Sequence, residues 1–175
     1  EYISPDKEIR FSKEESGIEL TITPADDFKM TVYVDYGTRV LADQQATLTD
    51  MKNFETEMSD SRTFVFLHEL QFLIAHNLVK GGDMDNAVVF VDKIPDQKVL
   101  EELGRFFNKK DIEVTEHGTL NHNPLHHLNE PARHKLLDLV GDLYLLGKPL
   151  KGHIVARKPG HFANTEFGKL IAKEQ

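Results

Sequence analysis

The sequence predicts an α+β fold, with a mixed or antiparallel sheet and helices packed on one of its faces. Stretches that alternate polar and apolar residues gather near the start of the chain, and stretches with helical apolar spacing lie between the later strands. Strands and helices do not alternate regularly, which disfavours a parallel α/β sheet. A chain of 175 residues can bury one proper core, so we expect residues 1–175 to form a single domain.

The first sixty residues carry most of the strand signals. Alternating polar and apolar side chains mark three strands, at residues 7–11, 18–23 and 30–36. Gly17 separates the first two strands, which predicts a hairpin, and Gly37 ends the third. Residues 39–60 are expected to run from a strand into a loop, with a helical turn near 49–55.

Two amphipathic helices and two short strands are predicted next. Apolar residues at helical spacing predict helices over 67–77 and 98–107. Short apolar runs predict strands over 87–91 and 112–115. Residues 116–128 are rich in His, Asn, Gly and Pro, and we expect them to form a loop.

The longest helical pattern follows this loop. Asn129 is expected to cap the helix, Pro131 lies in its first turn, and Gly147 is expected to end it. Residues 152–157 then read as a strand, and a final helix is predicted around 165–173.

Composition excludes several classes of function. A net charge of -8 without any basic block, and without Trp, leaves no electrostatic surface for nucleic acid. The chain has no Cys, hence no disulfide or thiolate chemistry, and no apolar run of about 18 residues that could span a membrane. We therefore expect a cytoplasmic protein. Because the chain begins at Glu1 rather than Met, we also expect a piece of a longer polypeptide.

The most informative pattern is a polar stripe on the longest predicted helix. His134, Asp138 and Asp142 are spaced four residues apart, so they line one helix face, and His134 and Asp138 can converge on one metal ion. Such a stripe is also typical of the solvated face of an amphipathic helix. The flanking residues are largely apolar, and a buried carboxylate needs a partner such as a metal or a histidine. Spacing alone leaves both interpretations open.

Four further histidines precede this helix, namely His117, His122, His126 and His127. Their spacing matches no zinc finger, and histidines among Asn, Pro and Gly are usually solvated. Glu116 and His117 are the one pair that could supply a base and a metal ligand together. We expect the loop histidines to be solvated and keep this pair as an alternative.

Several motifs together resemble one enzyme family. The motifs are Arg133-His134-Lys135-Leu136-Leu137-Asp138-Leu139-Val140-Gly141-Asp142, Lys158-Pro159-Gly160-His161-Phe162-Ala163-Asn164, Ser61-Arg62-Thr63-Phe64 and Lys80-Gly81-Gly82. They resemble the second domain of the zinc-dependent UDP-3-O-acyl-N-acetylglucosamine deacetylases of lipid A biosynthesis. The resemblance runs over residues 61–94 and 129–172, and these stretches hold every residue to which it assigns a role.

The resemblance implies a role for each matching residue. His134 and Asp138 would be two of the three protein ligands of zinc. His161 would be the catalytic imidazolium that stabilises the oxyanion and helps the amine leave, with Asp142 orienting it. Lys135 would contact the diphosphate of the substrate. The other substrate-binding residues, beside the sugar and acyl group, would be Thr63, Phe64 and Gly82.

The resemblance also implies how the chain is organised. In that family two α+β domains enclose the active site, and the first domain, which this sequence lacks, supplies the third ligand and a glutamate base. Residues 61–91 would form a βαβ insert that encloses the acyl chain. Residues 95–128 are longer than the connection that many members have, and we expect them to form an extra lobe at the sheet edge. Some members continue into a hydroxyacyl dehydratase. Pro159 and Glu69 depart from the Ser and Asp usual in the family.

Two hypotheses follow. In the first, the chain is the second domain of a zinc-dependent amide hydrolase, its partners are a UDP-linked acylated N-acetylglucosamine and the first domain of the same polypeptide, and it is inactive alone. In the alternative, the chain is a non-catalytic module that binds an acylated nucleotide sugar. Substrate binding that survives loss of His161 and treatment with chelators would favour the alternative.

Overall fold

A computed structural model describes residues 1–79, 83, 85–121 and 124–174. The strands are β1 Ile9–Lys13, β2 Ile18–Thr23, β3 Phe28–Val34, β4 Gln44–Leu48, β5 Thr63–Phe66, β6 Ala87–Phe90 and β7 Gly152–Arg157. The α-helices are α1 Phe54–Glu57, α2 Leu67–Ala75, α3 Gln97–Phe107, α4 Glu130–Leu143 and α5 His161–Lys173. Short 3₁₀ helices span Glu14–Ser16, Met51–Asn53 and Tyr144–Leu146. Within these residues no helix is long and apolar enough to cross a membrane.

The chain folds as two compact units. The first unit comprises Glu1–Asp35, Asp43–Ser61 and Asn129–Gln175, and the second comprises Tyr36–Ala42 and Arg62–Leu128. The expected insert at 61–91 and the expected lobe at 95–128 belong almost entirely to the second unit. That the two units form one domain stays a prediction.

The first unit contains a five-stranded mixed sheet. Its strand order is β1-β2-β7-β3-β4. Strand β7 pairs in parallel with β3, so that Phe28 lies opposite Gly152, whereas all other neighbours are antiparallel. The predicted hairpin of β1 and β2 is confirmed, with Ile9 opposite Ile22. The mixed sheet of an α+β fold is therefore confirmed.

Two helices cover one face of this sheet. Helix α4 packs on β3 and β4, and helix α5 packs on β1 and β2. Alternate strand residues, such as Ile22 and Ile154, point into this layer and are fully buried. Leu136 and Leu139 of α4 and Phe167 of α5 meet them there and are also fully buried. The expected packing of helices on one sheet face is confirmed.

The second unit is built around a βαβ element. Strands β5 and β6 pair in parallel, with Thr63 opposite Ala87, and α2 connects them. The apolar face of α3 joins the core between α2 and β6, where Leu103 is buried with Leu70 and Val89. The βαβ insert is confirmed as a structure, and its role as an acyl passage stays a prediction.

Three details of the sequence prediction are wrong. Residues 112–115 form no strand, because Asp111 takes a positive φ of 54° before them and a turn closes Thr115 onto Gly118, leaving the single bridge Val114 to Leu120. Helix α5 begins at His161, four residues earlier than predicted. Asn129 stands at the predicted N-cap position of α4, but its side chain makes no capping hydrogen bond, because its Nδ2 donates to the Gln45 carbonyl over 2.7 Å and its Oδ1 accepts from Arg133 Nε.

Two glycine-to-alanine substitutions in the first unit should have opposite effects. Gly152 has a φ of +136°, and an added Cβ would lie 2.9 Å from Ile22 Cγ1 and 3.0 Å from the Thr23 carbonyl oxygen. Gly152→Ala should lower the free energy of unfolding by about 2–4 kcal/mol through strain and overpacking. Gly141 is exposed within α4, and an added Cβ would meet no other atom within 4 Å. Gly141→Ala should therefore raise the free energy of unfolding by about 0.5–1 kcal/mol. Urea unfolding followed by circular dichroism measures both, and equal midpoints would contradict the assigned backbone conformations.

The pH dependence of stability should include a contribution from His153. Burial on the sheet, and then the nearby charge of Lys29, lower the pKa of the His153 imidazole. The folded state then binds fewer protons than the unfolded state, so stability should fall as the pH drops through about 6.5, the value of an unfolded histidine, and level off below the lowered pKa. In His153→Gln, the urea midpoint should change less between pH 7.5 and pH 5 than in the wild type. An unchanged pH slope would contradict this contribution.

Candidate active site

The first candidate pair is His134 and Asp138, one turn apart on α4. His134 Nδ1 lies 3.0 Å from the carbonyl oxygen of Ser61. A carbonyl can only accept, so Nδ1 donates its proton there and Nε2 is the basic nitrogen of the neutral ring. Nε2 lies 3.4 Å from Asp138 Oδ1, and the two side chains are only 15% and 12% exposed. His134 Nε2 and Asp138 Oδ1 thus face each other at a largely buried position, and each has a lone pair.

Zinc fits this arrangement. Zinc binds imidazole nitrogen and carboxylate oxygen at about 2.0–2.2 Å in tetrahedral geometry, which places two of its ligand atoms about 3.4 Å apart. The observed separation of Nε2 and Oδ1 is 3.4 Å. The Ser61 carbonyl holds Nδ1, which is the outer support that metal-binding histidines usually have. Among the residues that the structure describes, no group of three or more His, Asp or Glu side chains is placed so that it could hold a metal ion.

Lys135 neutralises the other oxygen of Asp138. Its Nζ lies 3.0 Å from Asp138 Oδ2, across one helical turn. Asp138 therefore faces a cation with one carboxylate oxygen and His134 with the other. This pairing gives the largely buried carboxylate a polar partner at each of its oxygens.

The second candidate pair joins α4 to α5. His161 Nδ1 lies 2.8 Å from Asp142 Oδ2, and His161 is the first residue of α5. Asp142 is mostly buried, with 17% of its side chain exposed, whereas the imidazole of His161 is 70% exposed. An anchored carboxylate thus holds an imidazole whose other nitrogen remains accessible, as a proton donor to a substrate must be.

The structure brings together five of the eight residues singled out from the sequence. Those five are His134, Lys135, Asp138, Asp142 and His161, all on α4 or at the start of α5. Thr63 and Phe64 lie on β5 in the second unit. Thr63 is exposed, and the ring of Phe64 packs edge-to-face on the ring of Tyr36, with 5.4 Å between the ring centroids. Gly82 lies outside the described residues.

The remaining histidine alternatives gain no support as a metal site. His117 is exposed, and its Nε2 lies 3.7 Å from Glu116 Oε1, also at the surface. His122 falls outside the described residues. Glu69, a departure from the family pattern, has a structural role because its carboxylate accepts the Phe66 N–H at 3.1 Å at the start of α2.

Sequence reasoning missed two members of the site. The carbonyl of Ser61 orients His134, and no side-chain pattern can indicate a backbone acceptor. Asn164 donates from Nδ2 to Asp142 Oδ2 at 2.8 Å. Its spacing of three residues from His161 would have placed both on one helix face, but the predicted helix began after Asn164.

Comparison with known proteins identifies the family. The family model described as LpxC: UDP-3-O-acyl N-acetylglycosamine deacetylase matches residues 1–109 and 107–173. The chain is 42% identical over 166 residues to the bifunctional enzyme LpxC/FabZ of Bacteroides thetaiotaomicron, which covers 95% of this chain and 36% of that protein. It is 35% identical over 156 residues to the UDP-3-O-acyl-N-acetylglucosamine deacetylase of Leptospira biflexa. The matched residues cover 89% of this chain and 43% of that protein.

A third relative, the enzyme of the same name from Pseudomonas entomophila, is 35% identical over 157 residues, which cover 87% of this chain and 44% of that protein. The chain thus spans less than half the length of the curated relatives it matches, over their second-domain portion. The matches extend across both units and include the α4 and α5 segments that carry the two candidate pairs. From these matches we conclude that the chain belongs to the LpxC family of UDP-3-O-acyl N-acetylglycosamine deacetylases.

Proposed function

We propose that this chain provides the second-domain half of a zinc-dependent deacetylase active site, which acts on UDP-3-O-(3-hydroxyacyl)-N-acetylglucosamine in lipid A biosynthesis. The observation that carries the proposal is the pair of imidazole–carboxylate couples on α4 and α5, His134 with Asp138 and His161 with Asp142. One couple suits metal binding and the other suits proton donation. The third zinc ligand and the general base would come from a first domain, and we expect the reaction to occur in the cytoplasm.

His134 and Asp138 would hold zinc through Nε2 and Oδ1. When bound there, zinc would lower the pKa of a water ligand toward about 7 and polarise the amide carbonyl of the substrate. The hydrogen bond from His134 to Ser61 fixes which ring nitrogen faces Asp138, and the contact of Lys135 with Asp138 Oδ2 leaves Oδ1 toward His134. The ligands are thereby oriented before any metal binds.

His161 would act as the cationic donor in the reaction. Its Nδ1 is held by Asp142 at 2.8 Å, so Nε2 is the atom that can donate to the tetrahedral oxygen and then to the leaving amine. A charged donor at the developing oxyanion commonly contributes a few kcal/mol to lowering the barrier. The Asp142 carboxylate would accept the Nδ1–H of His161 and so orient the imidazole for this donation.

Lys135 would contact the substrate's diphosphate while remaining near Asp138. Its Nζ donates to Asp138 Oδ2 at 3.0 Å, and a lysine ammonium can donate up to three hydrogen bonds. Lys135 lies in the second turn of α4, and its side chain is 21% exposed. A partly exposed cation supports contact with an anionic substrate group.

The second unit would recognise the sugar and the acyl chain. We assign Thr63, Phe64 and Gly82 to substrate contacts, in keeping with the family resemblance. Helix α2 of the βαβ element exposes apolar surface, since Phe72 is 57% exposed, and burial of an acyl chain against such surface contributes about 0.8 kcal/mol per methylene. A long hydroxyacyl group could therefore supply much of the binding free energy.

The zinc assignment can be tested by metal content. In the complete enzyme, Asp138→Ala and His134→Ala should each weaken zinc binding by more than about 100-fold, because loss of an outer partner alone already weakens binding 10- to 100-fold. Elemental analysis after dialysis against a zinc buffer measures the stoichiometry. Glu166→Ala, which removes a half-buried carboxylate that pairs with Lys169 on α5, is the matched control and should retain zinc. Stoichiometric zinc in Asp138→Ala would contradict the ligand assignment.

A zinc titration of the 175-residue chain tests where the third ligand comes from. Weak binding, further weakened by His134→Ala, is expected if this chain supplies two ligands. Tight one-to-one binding that His134→Ala abolishes would place a third ligand within this sequence, with His117 as the first residue to replace, and would overturn the proposed sharing of the site.

The role of His161 can be tested by kinetics. In the complete enzyme, His161→Ala should lower kcat by about 10²- to 10⁴-fold with little change in KM, because the proton donor acts only on the reacting centre. His76→Ala, which removes another exposed histidine, should leave kcat unchanged. Unaltered turnover in His161→Ala would refute the proposed role. Tight substrate binding without any turnover by the zinc-loaded wild type would instead favour the non-catalytic binding module.

A further inference from the structure

Asn164 is a fully buried amide next to the second candidate pair. It lies on α5, one turn after His161, and its Nδ2 donates to Asp142 Oδ2 at 2.8 Å. Its Oδ1 is also buried and has no hydrogen-bond partner among the described residues. The side chain thus makes one hydrogen bond to a carboxylate and leaves its own carbonyl oxygen unsatisfied.

The orientation of this amide is determined by Asp142. Rotation of the amide by 180° would place Oδ1 against a carboxylate oxygen, so only the orientation with Nδ2 toward Asp142 is acceptable. The neighbouring residues Ala163, Phe167 and Gly168 are buried and non-polar, and an apolar side chain at position 164 would leave no unsatisfied oxygen. Core packing therefore does not explain an asparagine here, whereas the bond to Asp142 does.

Two donors from α5 converge on a single oxygen atom. His161 Nδ1 and Asn164 Nδ2 each lie 2.8 Å from Asp142 Oδ2. The χ2 torsion of an aspartate is broad, so one hydrogen bond from an exposed imidazole fixes the carboxylate plane poorly. The second bond comes from a buried, immobile amide and holds Oδ2 toward α5. Because the imidazole of His161 is 70% exposed, its orientation depends on this anchored oxygen.

We propose that Asn164 is a positioning residue for the deacetylation reaction, which holds Asp142 Oδ2 so that Asp142 can orient the His161 imidazole. The proposal rests on the proposed function, since it needs His161 to be the proton donor. Asn164 acts through Asp142 and does not itself reach the reacting atoms. A purely structural role, as a link between α4 and α5, is the competing explanation.

A double-mutant cycle in the complete zinc-loaded enzyme separates the two roles. Asn164→Leu removes the donor at similar volume and should lower kcat about 10- to 100-fold, as loss of an outer partner commonly does, with KM within about twofold. In an Asp142→Asn background, Asn164→Leu should lower kcat no further, because the residue acts through Asp142. Equal loss of kcat in both backgrounds would identify a structural role and overturn the proposal. Gly168→Ala, on the same helix and with only an ordinary contact to Leu143, should leave kcat unchanged.

A second variant and a second readout keep the test independent of folding and of activity. Asn164→Asp keeps the shape of the side chain but places a carboxylate against Asp142, and it should lower kcat at least as much as Asn164→Leu. In enzyme labelled with ¹⁵N-histidine, the Nδ1–H signal of His161, assigned by its loss in His161→Ala, should broaden or vanish in Asn164→Leu. A sharp, unshifted signal would overturn the positioning role, whatever the turnover. An inactive zinc-loaded wild type whose signal still depends on Asn164 would refute the proposed function, while the anchoring of His161 would stand.

Discussion

The packing of α4 against the five-stranded sheet determines which side chains can form the candidate active site. Leu136, Leu139 and Leu143 lie on the buried side of the helix, and each contributes about 1.5–3 kcal/mol by leaving water. Rotation of the helix about its axis would expose these residues, so the apolar contact fixes which face of α4 is turned toward the sheet. This fixed orientation also determines where the polar stripe from His134 to Asp142 points. The geometry of the candidate active site is therefore a consequence of core packing.

The electrostatic organisation of the site follows from the same constraint. Packing places Asp138 and Asp142 at largely buried positions, and an ionised carboxylate there needs compensation. Each receives two partners from nearby in sequence or from α5. Asp138 faces Lys135 and His134, and Asp142 faces His161 and the Asn164 amide. Two carboxylates one turn apart therefore have different neighbours, which suits them to different tasks on one helix face.

Patterns within one helix or strand could be predicted from the sequence, whereas interactions between distant segments could not. The spacing of His134, Asp138 and Asp142 and the stop at Gly147 are local, and Gly147 does end the helical segment with a φ of 73°. The insertion of β7 between β2 and β3 is not encoded by alternation, since a parallel and an antiparallel neighbour produce the same period of two. The side-chain oxygen of Asn129 was expected to cap a helix, but it accepts from Arg133 Nε instead, while its Nδ2 donates to the carbonyl of Gln45, 84 residues earlier in the chain. The role of Ser61 could not be predicted either, because it contacts His134 through its main-chain carbonyl oxygen and not through its side chain.

The position of β7 has a consequence for how the chain folds during synthesis. The strand completes the centre of the first unit's sheet, yet it comes after the whole of Arg62–Leu128, which belongs to the second unit. The pairing of β3 with β7 closes a loop of more than a hundred residues, and such high contact order slows folding. The β5-α2-β6 element closes locally and can form as it leaves the ribosome. The edge of β2 that pairs with β7 has no partner until the last fifth of the chain has been synthesised. Until then its backbone groups are available for pairing with a wrong strand.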